Sequence, residues 1–167
     1  MTEKSIQFTA KDVRAILDGR TNIFRKAVNP HIVERFVLNA NGKLLGSFRV
    51  SAGDVYPTVD DAPYEVGDIL WVQEPWREQP FGYDPATQTY SGEEIEYRAD
   101  FTNEENALYG RRGGCSPRSW RPSNSMPRSA ARLYLRITDV QIERVQDTSA
   151  WEWVYQFEKA LLTIGGI

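Results

Sequence analysis

The sequence predicts a single α+β domain: a mixed, mostly antiparallel β-barrel with one short helix near residues 10–18 and a loop-rich insertion at about 78–129. Three observations predict it. Asn41-Gly42 lies between two apolar runs, the strongest short-range hairpin signal. Ile69-Leu70-Trp71-Val72 is apolar at successive positions, as in a strand covered on both faces. Trp151 to Glu158 alternates with period two.

The helix is bounded by local chemistry. Thr9 is a good N-cap, and Asp12 three residues later completes a capping box. Val13, Ile16 and Leu17 supply an apolar stripe, and Gly19 tolerates the positive φ at which helices end. A polar, basic strand follows, Thr21-Asn22-Ile23-Phe24-Arg25-Lys26. Ile32–Leu38 and Lys43–Val50 read as a hairpin around Asn39-Ala40-Asn41-Gly42. Asp60-Asp61-Ala62-Pro63 is a loop, and Val66-Gly67-Asp68 turns into the apolar strand. From Glu78 to Ser129, prolines and glycines break the pattern, leaving short strands around Tyr90 and Glu96–Ala99. Pro127–Ala131 starts a short helix. Leu133–Ile137 is a strand that continues through Val140–Val145. On the last strand, Trp151, Trp153, Tyr155 and Phe157 share a face and are assigned to the core.

Composition excludes several classes. The 167 residues include one cysteine, Cys115, which cannot form an internal disulfide and fits a reducing, cytoplasmic setting. His31 is the lone histidine, so no metal centre is expected, and no glycine-rich phosphate loop follows a strand, so no cofactor is expected. No run of about eighteen apolar residues marks a membrane span. The net charge is −3, but its distribution is uneven. Seven arginines (Arg111, Arg112, Arg118, Arg121, Arg128, Arg132, Arg136) and no acid lie between Arg111 and Thr138. Glu93, Glu94, Glu96, Asp100, Glu104 and Glu105 precede them. Such polarity either binds an anion locally or lets the two stretches neutralise one another.

Three segments in order resemble the ASCH-domain family, a PUA-like β-barrel group, and its phage-encoded branch in particular. They are Gly19–Lys26 after the first helix, Gly67-Asp68-Ile69-Leu70-Trp71-Val72-Gln73-Glu74-Pro75-Trp76, and Trp120-Arg121-Pro122-Ser123-Asn124-Ser125-Met126-Pro127-Arg128-Ser129-Ala130-Ala131-Arg132. The resemblance implies a PUA-like barrel in a bacterial host's cytoplasm. In an amidohydrolase branch that deacetylates acetylcytidine, the family mechanism uses a signature lysine, a threonine nucleophile and a glutamate before the last strand. Here the lysine position is Thr21, the threonine position is Phe24, and Ser149-Ala150 join the flanking motifs where the glutamate-bearing segment would lie. Phenylalanine cannot attack an amide, and threonine supplies no cation.

What remains reads as a non-catalytic binding site for RNA, single-stranded DNA or a modified nucleotide. Arg20, Thr21, Asn22 and Arg25 are donors on one short segment. Phe24, Trp71 and Trp76 can stack bases. Glu74 is read either as a site carboxylate or as an ion-pair partner of Arg25 or Lys26. Arg121 and Arg128 are read as phosphate contacts, with Trp120 and Met126 pinning their segment in the alternative reading. Two other functions stay open. One is a nucleoside amidohydrolase with a divergent site, in which Thr21 is a displaced nucleophile beside Arg20 or Arg25. The other is a phage accessory protein that binds a host protein through the insertion.

Overall fold

A computed structural model describes residues 2–101 and 118–161. Arg111, Arg112, Cys115, Glu104, Glu105 and the tail from Leu162 lie outside the described residues. The chain is mostly strand with a few short helices. In order, it forms β1 (Glu3–Gln7), α1 (Ala10–Leu17), β2 (Ile23–Ala27), α2 (Pro30–Val33), β3 (Phe36–Leu38), β4 (Leu44–Arg49), β5 (Asp54–Tyr56) and β6 (Ile69–Gln73). These are followed by β7 (Trp76–Asp84), β8 (Thr89–Tyr97), β9 (Tyr134–Arg144) and β10 (Trp151–Lys159). Single 3-10 turns occupy Thr58–Asp61, Arg98–Asp100, Ser123–Ser125 and Arg128–Ala130. The strands form a five-stranded sheet in the order β1-β6-β9-β10-β2, a three-stranded sheet β3-β4-β5 and the hairpin β7-β8. The apolar strand β6 is thus interior to its sheet, as its composition predicts.

The described chain groups into two compact units. The first takes in the start of the chain through Glu3, then Asn22–Leu70, and the chain from Leu135 onward. Its centre is aromatic. Trp153, Tyr155 and Phe157 are buried on one face of β10, as the alternation predicts. Phe24 on β2 is registered opposite Tyr155 and stacks on it at 4.8 Å. Tyr64 meets both rings edge-on. A like-charge pair is handled on the same sheet: Glu143 and Glu152 lie directly opposite each other, an arrangement that repels. Arg25 bridges them, its Nη1 2.7 Å from Glu143 and 3.6 Å from Glu152.

Two departures from the expected hairpin are instructive. Ile32 and Val33 end a short helix, not a strand. Asn29 caps it by accepting from the His31 N–H, and Pro30 occupies the first helical position, where a missing N–H costs nothing. The strand therefore starts at Phe36. The turn is as expected: Asn39 Oδ1 accepts from the N–H groups of Asn41 and Lys43, and Gly42 has φ +78°. β4 then pairs with β5 as well as β3, so the expected hairpin is a three-stranded sheet.

The second unit takes in Lys4–Thr21 and Trp71–Tyr134. α1 starts and stops where its sequence says. Thr9 and Asp12 form the capping box, and the Gly19 and Arg20 N–H groups return to the Ile16 and Ala15 carbonyls in a Schellman motif. Gly19 has the left-handed φ, +69°, that this motif needs. β7 and β8 form a nine-residue antiparallel pair, so the first part of the insertion is far more regular than its composition predicts. Pro80 and Gly82 are accommodated because a two-stranded ribbon leaves an outer edge on each strand.

The Tyr155 phenol is pushed upward by burial, and so is that of Tyr97 in the second unit. Below the ordinary tyrosine value both folded and unfolded states keep these protons. Above it the unfolded chain releases protons that the folded chain retains, so stability falls as pH rises. Alkaline titration should therefore show part of the phenolate absorbance appearing only together with loss of the far-ultraviolet strand signal. Complete tyrosine ionisation with that signal intact would contradict the burial of these two phenols.

Candidate functional site

The most constrained group in the second unit is Glu74, which follows β6 and is 0% exposed. Burial pushes its carboxyl above the usual range, and hydrogen bonds from Arg132 oppose that shift. Arg132 Nε and Nη2 reach the two carboxylate oxygens at 2.9 and 3.1 Å. The same guanidinium places Nη1 2.9 and 2.7 Å from the Asp100 oxygens, and its plane lies 4.1 Å over the Tyr97 ring. The Tyr97 hydroxyl donates to the Ala130 carbonyl at 2.6 Å. The partner expected for Glu74 was Arg25 or Lys26; it is Arg132 instead. Lys26 hydrogen-bonds the Tyr64 hydroxyl, and Arg25 serves Glu143 and Glu152.

The segment from Trp120 to Arg132 is fastened along its length. Arg121 bridges to the Trp76 backbone, and the Trp76 indole N–H donates to Ser125 Oγ at 3.1 Å. The Gln73 amide donates to the Met126 carbonyl at 3.0 Å. Trp76, Met126 and Ala130 pack as a buried cluster. Trp120 receives the buried Arg77 guanidinium on its ring at 3.9 Å, while Arg77 Nε pairs with Glu96 at 2.7 Å. The reading in which Trp120 and Met126 pin this segment therefore holds for both residues.

Arg14 extends the framework to α1. Although exposed, it donates to the carbonyls of Ala99 at 2.8 Å, Phe101 at 2.9 Å and Arg98 at 3.3 Å. These bonds hold the 3-10 turn Arg98–Asp100 against the helix. That turn carries Asp100 to Arg132 and presents Arg98 to a pocket of about 640 Å³ lined by Gln7–Asp12, Arg14, Pro75, Arg98 and Ser123. The volume is in the range of small-ligand sites, about 300–1,000 Å³. Its cations are Lys11, Arg14 and Arg98. Its one acid, Asp12, is engaged by the Thr9 hydroxyl at 2.6 Å in the capping box. Among the described residues, no ion pair engages Lys11 or Arg98.

The expected site residues are distributed differently. Arg20, Thr21, Trp71, Glu74, Arg121 and Arg128 belong to the second unit, and Asn22, Phe24 and Arg25 to the first. Phe24 is a core ring on Tyr155, so its face is covered. Arg20 is exposed and pairs with Asp18 at 3.0 Å. Thr21 and Trp71 are half-buried, and the exposed Asn22 gives its carbonyl to the Phe157 N–H. Glu74 is a structural carboxylate. Arg121 lies over the Trp76 ring at 4.8 Å and reaches Glu78 at 3.4 Å. Arg128 sits 5.9 Å from the Tyr134 ring centre. Sequence reasoning missed Lys11 and Arg98, whose only local signals were a position in the first helical turn and a place beside the acidic stretch.

The acidic and basic stretches do neutralise one another in part: Arg118 pairs with Glu93 at 2.9 Å and Arg132 with Asp100. No group of three or more metal-ligating side chains occurs among the described residues. No described helix is long and apolar enough to cross a membrane.

Arg132→Met should destabilise the fold by about 3–5 kcal/mol, because it leaves a buried carboxylate with no guanidinium. The raised Glu74 pKa gives this loss a sign. A buried acid whose folded pKa exceeds its unfolded value contributes stability that is lost as pH rises, so the variant should be relatively more stable in mild acid than at neutral pH. Urea unfolding at the two pH values checks both points, and Glu74→Gln combined with Arg132→Met should recover part of the loss.

Comparison with protein-family models, curated proteins and solved structures gave no match for this chain.

Proposed function

We propose that this protein is a non-catalytic module that binds single-stranded nucleic acid or a modified nucleotide, of the PUA-like, ASCH type that its motifs resemble and that phages encode. The observation that carries this reading is the pocket of about 640 Å³ beside α1, where Lys11, Arg14 and Arg98 face a single acid already engaged in a helix cap. Such a basin suits an anionic ligand of nucleotide size. Arg98 is the group best placed for a planar or phosphate partner, since Arg14 fixes the turn that bears it.

Two further arginines of the same unit support additional contacts. Arg118 and Arg121 are half-exposed, and so are their partners Glu93 and Glu78. Ion pairs of this kind contribute only about 0–1 kcal/mol, so a phosphate can exchange for the carboxylate at little cost. Affinity should be modest, because the chain is acidic overall and few phosphates are neutralised. An amidohydrolase reading has less support. The position matching the family's nucleophile is Phe24, whose ring is buried against Tyr155.

Fluorescence-anisotropy titration of single-stranded RNA and DNA at two salt concentrations tests the proposal. Lys11→Ala with Arg98→Ala should weaken binding roughly tenfold or more and lower the salt slope by roughly 0.7 for each phosphate that is no longer neutralised. Glu78→Gln with Glu93→Gln should strengthen binding a few-fold by releasing Arg121 and Arg118. Arg25→Ala separates this placement from the strand after α1. If Arg25→Ala abolishes binding while Arg98→Ala leaves it intact, the ligand sits at that strand. No binding to either polymer at low salt by the folded protein would overturn the proposal.

A further inference from the structure

We propose that the outer half of the β7–β8 hairpin is a docking arm for a basic protein surface. The arm would hold arginine and lysine side chains on tyrosine and phenylalanine rings flanked by carboxylates. This inference is independent of the nucleotide pocket.

Among the described residues the inner part of the hairpin is held by its unit: Gln79 is buried and accepts from the Arg118 N–H, and Glu78 and Glu93 pair with Arg121 and Arg118. Trp76 and Arg77 at one end, and Glu96 and Tyr97 at the other, are buried or half-buried in the contacts described above. Beyond them the character changes, and every residue from Phe81 to Ser91 is exposed. Phe81 is 46% exposed, Tyr83 48%, Tyr90 37% and Ile95 39%. Four large apolar or aromatic side chains on one ribbon exceed what scattered surface residues need. Tyr83 and Tyr90 are cross-strand partners with ring centres 5.1 Å apart.

The ribbon is built to hold its shape. Gly82 has φ +67°, and a Cβ there would meet Ser91 Oγ at 2.5 Å, so the backbone at this position calls for glycine. Ser91 Oγ donates to the Gly82 carbonyl at 3.0 Å. At the tip, Asp84 Oδ1 accepts from the Ala86 N–H, and the Thr87 and Thr89 hydroxyls are 2.7 Å apart. Backbone and small polar groups therefore fix the arm. A two-stranded ribbon of this kind is marginal alone, which makes a bound partner a natural source of further stability.

Charge selects the partner. From Glu78 through Ile95 the chain carries no lysine, arginine or histidine; Glu78 and Glu93 are held by Arg121 and Arg118, which leaves Asp84 and Glu94 as the carboxylates outside an ion pair among the described residues. Beside Asp84 and Glu94 a cationic side chain gains both a carboxylate and the ring faces, which an anionic surface does not. Aromatic anchors with a charged rim also match the composition of protein interfaces.

The full chain should bind a fluorescein-labelled arginine–glycine repeat peptide, more weakly as salt rises, and should not bind its glutamate–glycine counterpart. Tyr83→Ser with Tyr90→Ser leaves the charge unchanged and should weaken binding about tenfold, as expected when two cation–π interactions are removed. Asp84→Lys with Glu94→Lys should abolish it. Asp54→Lys with Asp60→Lys, an equal charge change in the other unit, should have a much smaller effect. Circular dichroism establishes that each variant is folded, and the two arm variants test the proposal separately. Three results would overturn it: native-like binding by the tyrosine variant, an equal loss with Asp54→Lys and Asp60→Lys, or a native dimer in sedimentation that the tyrosine variant dissociates. The last would make a second copy of this chain the occupant.

Discussion

One guanidinium organises the second unit. Arg132 spends four N–H groups on the carboxylates of Glu74 and Asp100 and its flat face on Tyr97. Its three partners come from two stretches: the residue after β6, and the end of β8 with the turn that follows it. A flat fork with fixed donors can satisfy all three at once, which a lysine cannot. The arrangement tolerates a fully buried carboxylate because both its oxygens are bonded. Arg14 closes the frame from the helix side by binding three successive parts of the Arg98–Phe101 backbone. The pocket beside α1 is a consequence of this frame: its wall residues Pro75 and Arg98 are the immediate neighbours of Glu74 and Ala99.

The charge distribution along the chain has the same logic. Acidic and arginine-rich stretches of similar size could repel their own kind or cancel each other, and here they cancel unevenly. Arg77 and Arg132 make buried or half-buried pairs, where removing one partner is expensive. Arg118 and Arg121 make exposed pairs of small value. The first two arginines are thereby committed to the fold. The second two remain exchangeable, and of these four only they have the freedom to meet an outside anion.

What could be read from the sequence was what short-range chemistry decides. Thr9, Asp12 and Gly19 bound α1 through contacts no more than a few residues apart. Asn39 and Gly42 make the turn before β4, and the aromatic alternation of β10 reports a buried face directly. The misses share a cause as well. Ile32-Val33, β-branched, reads as strand, yet Asn29 and Pro30 start a helix through them. The β7–β8 ribbon was obscured by Pro80 and Gly82, which composition penalises in a strand while an edge tolerates them, and by Pro85, which lies in the turn beyond β7. Glu74 finds its partner 58 residues away, and no local pattern can distinguish Arg132 from Lys26 for that role. Phe24 was assigned to a ligand by its place in a motif. Its register opposite Tyr155 makes it part of the core.

The same unit thus offers two surfaces of opposite sign. The pocket beside α1 gathers cations around one engaged acid, and the outer hairpin carries exposed rings with Asp84 and Glu94 and no cation in its own sequence. A single ligand class cannot satisfy both. An anion suited to Lys11 and Arg98 is not suited to Asp84 and Glu94, and a basic surface suited to the arm is not suited to the pocket. Glu78 and Glu93 link the two, because each neutralises an arginine while lying on the inner part of the same hairpin. A cationic partner that engages these carboxylates releases Arg118 and Arg121, so occupancy of the arm should favour anion binding near the arginines. By thermodynamic reciprocity the reverse holds equally. The exposed ion pairs are weak, so this coupling is small, on the order of 1 kcal/mol. Its sign nevertheless follows from which residues the carboxylates already hold.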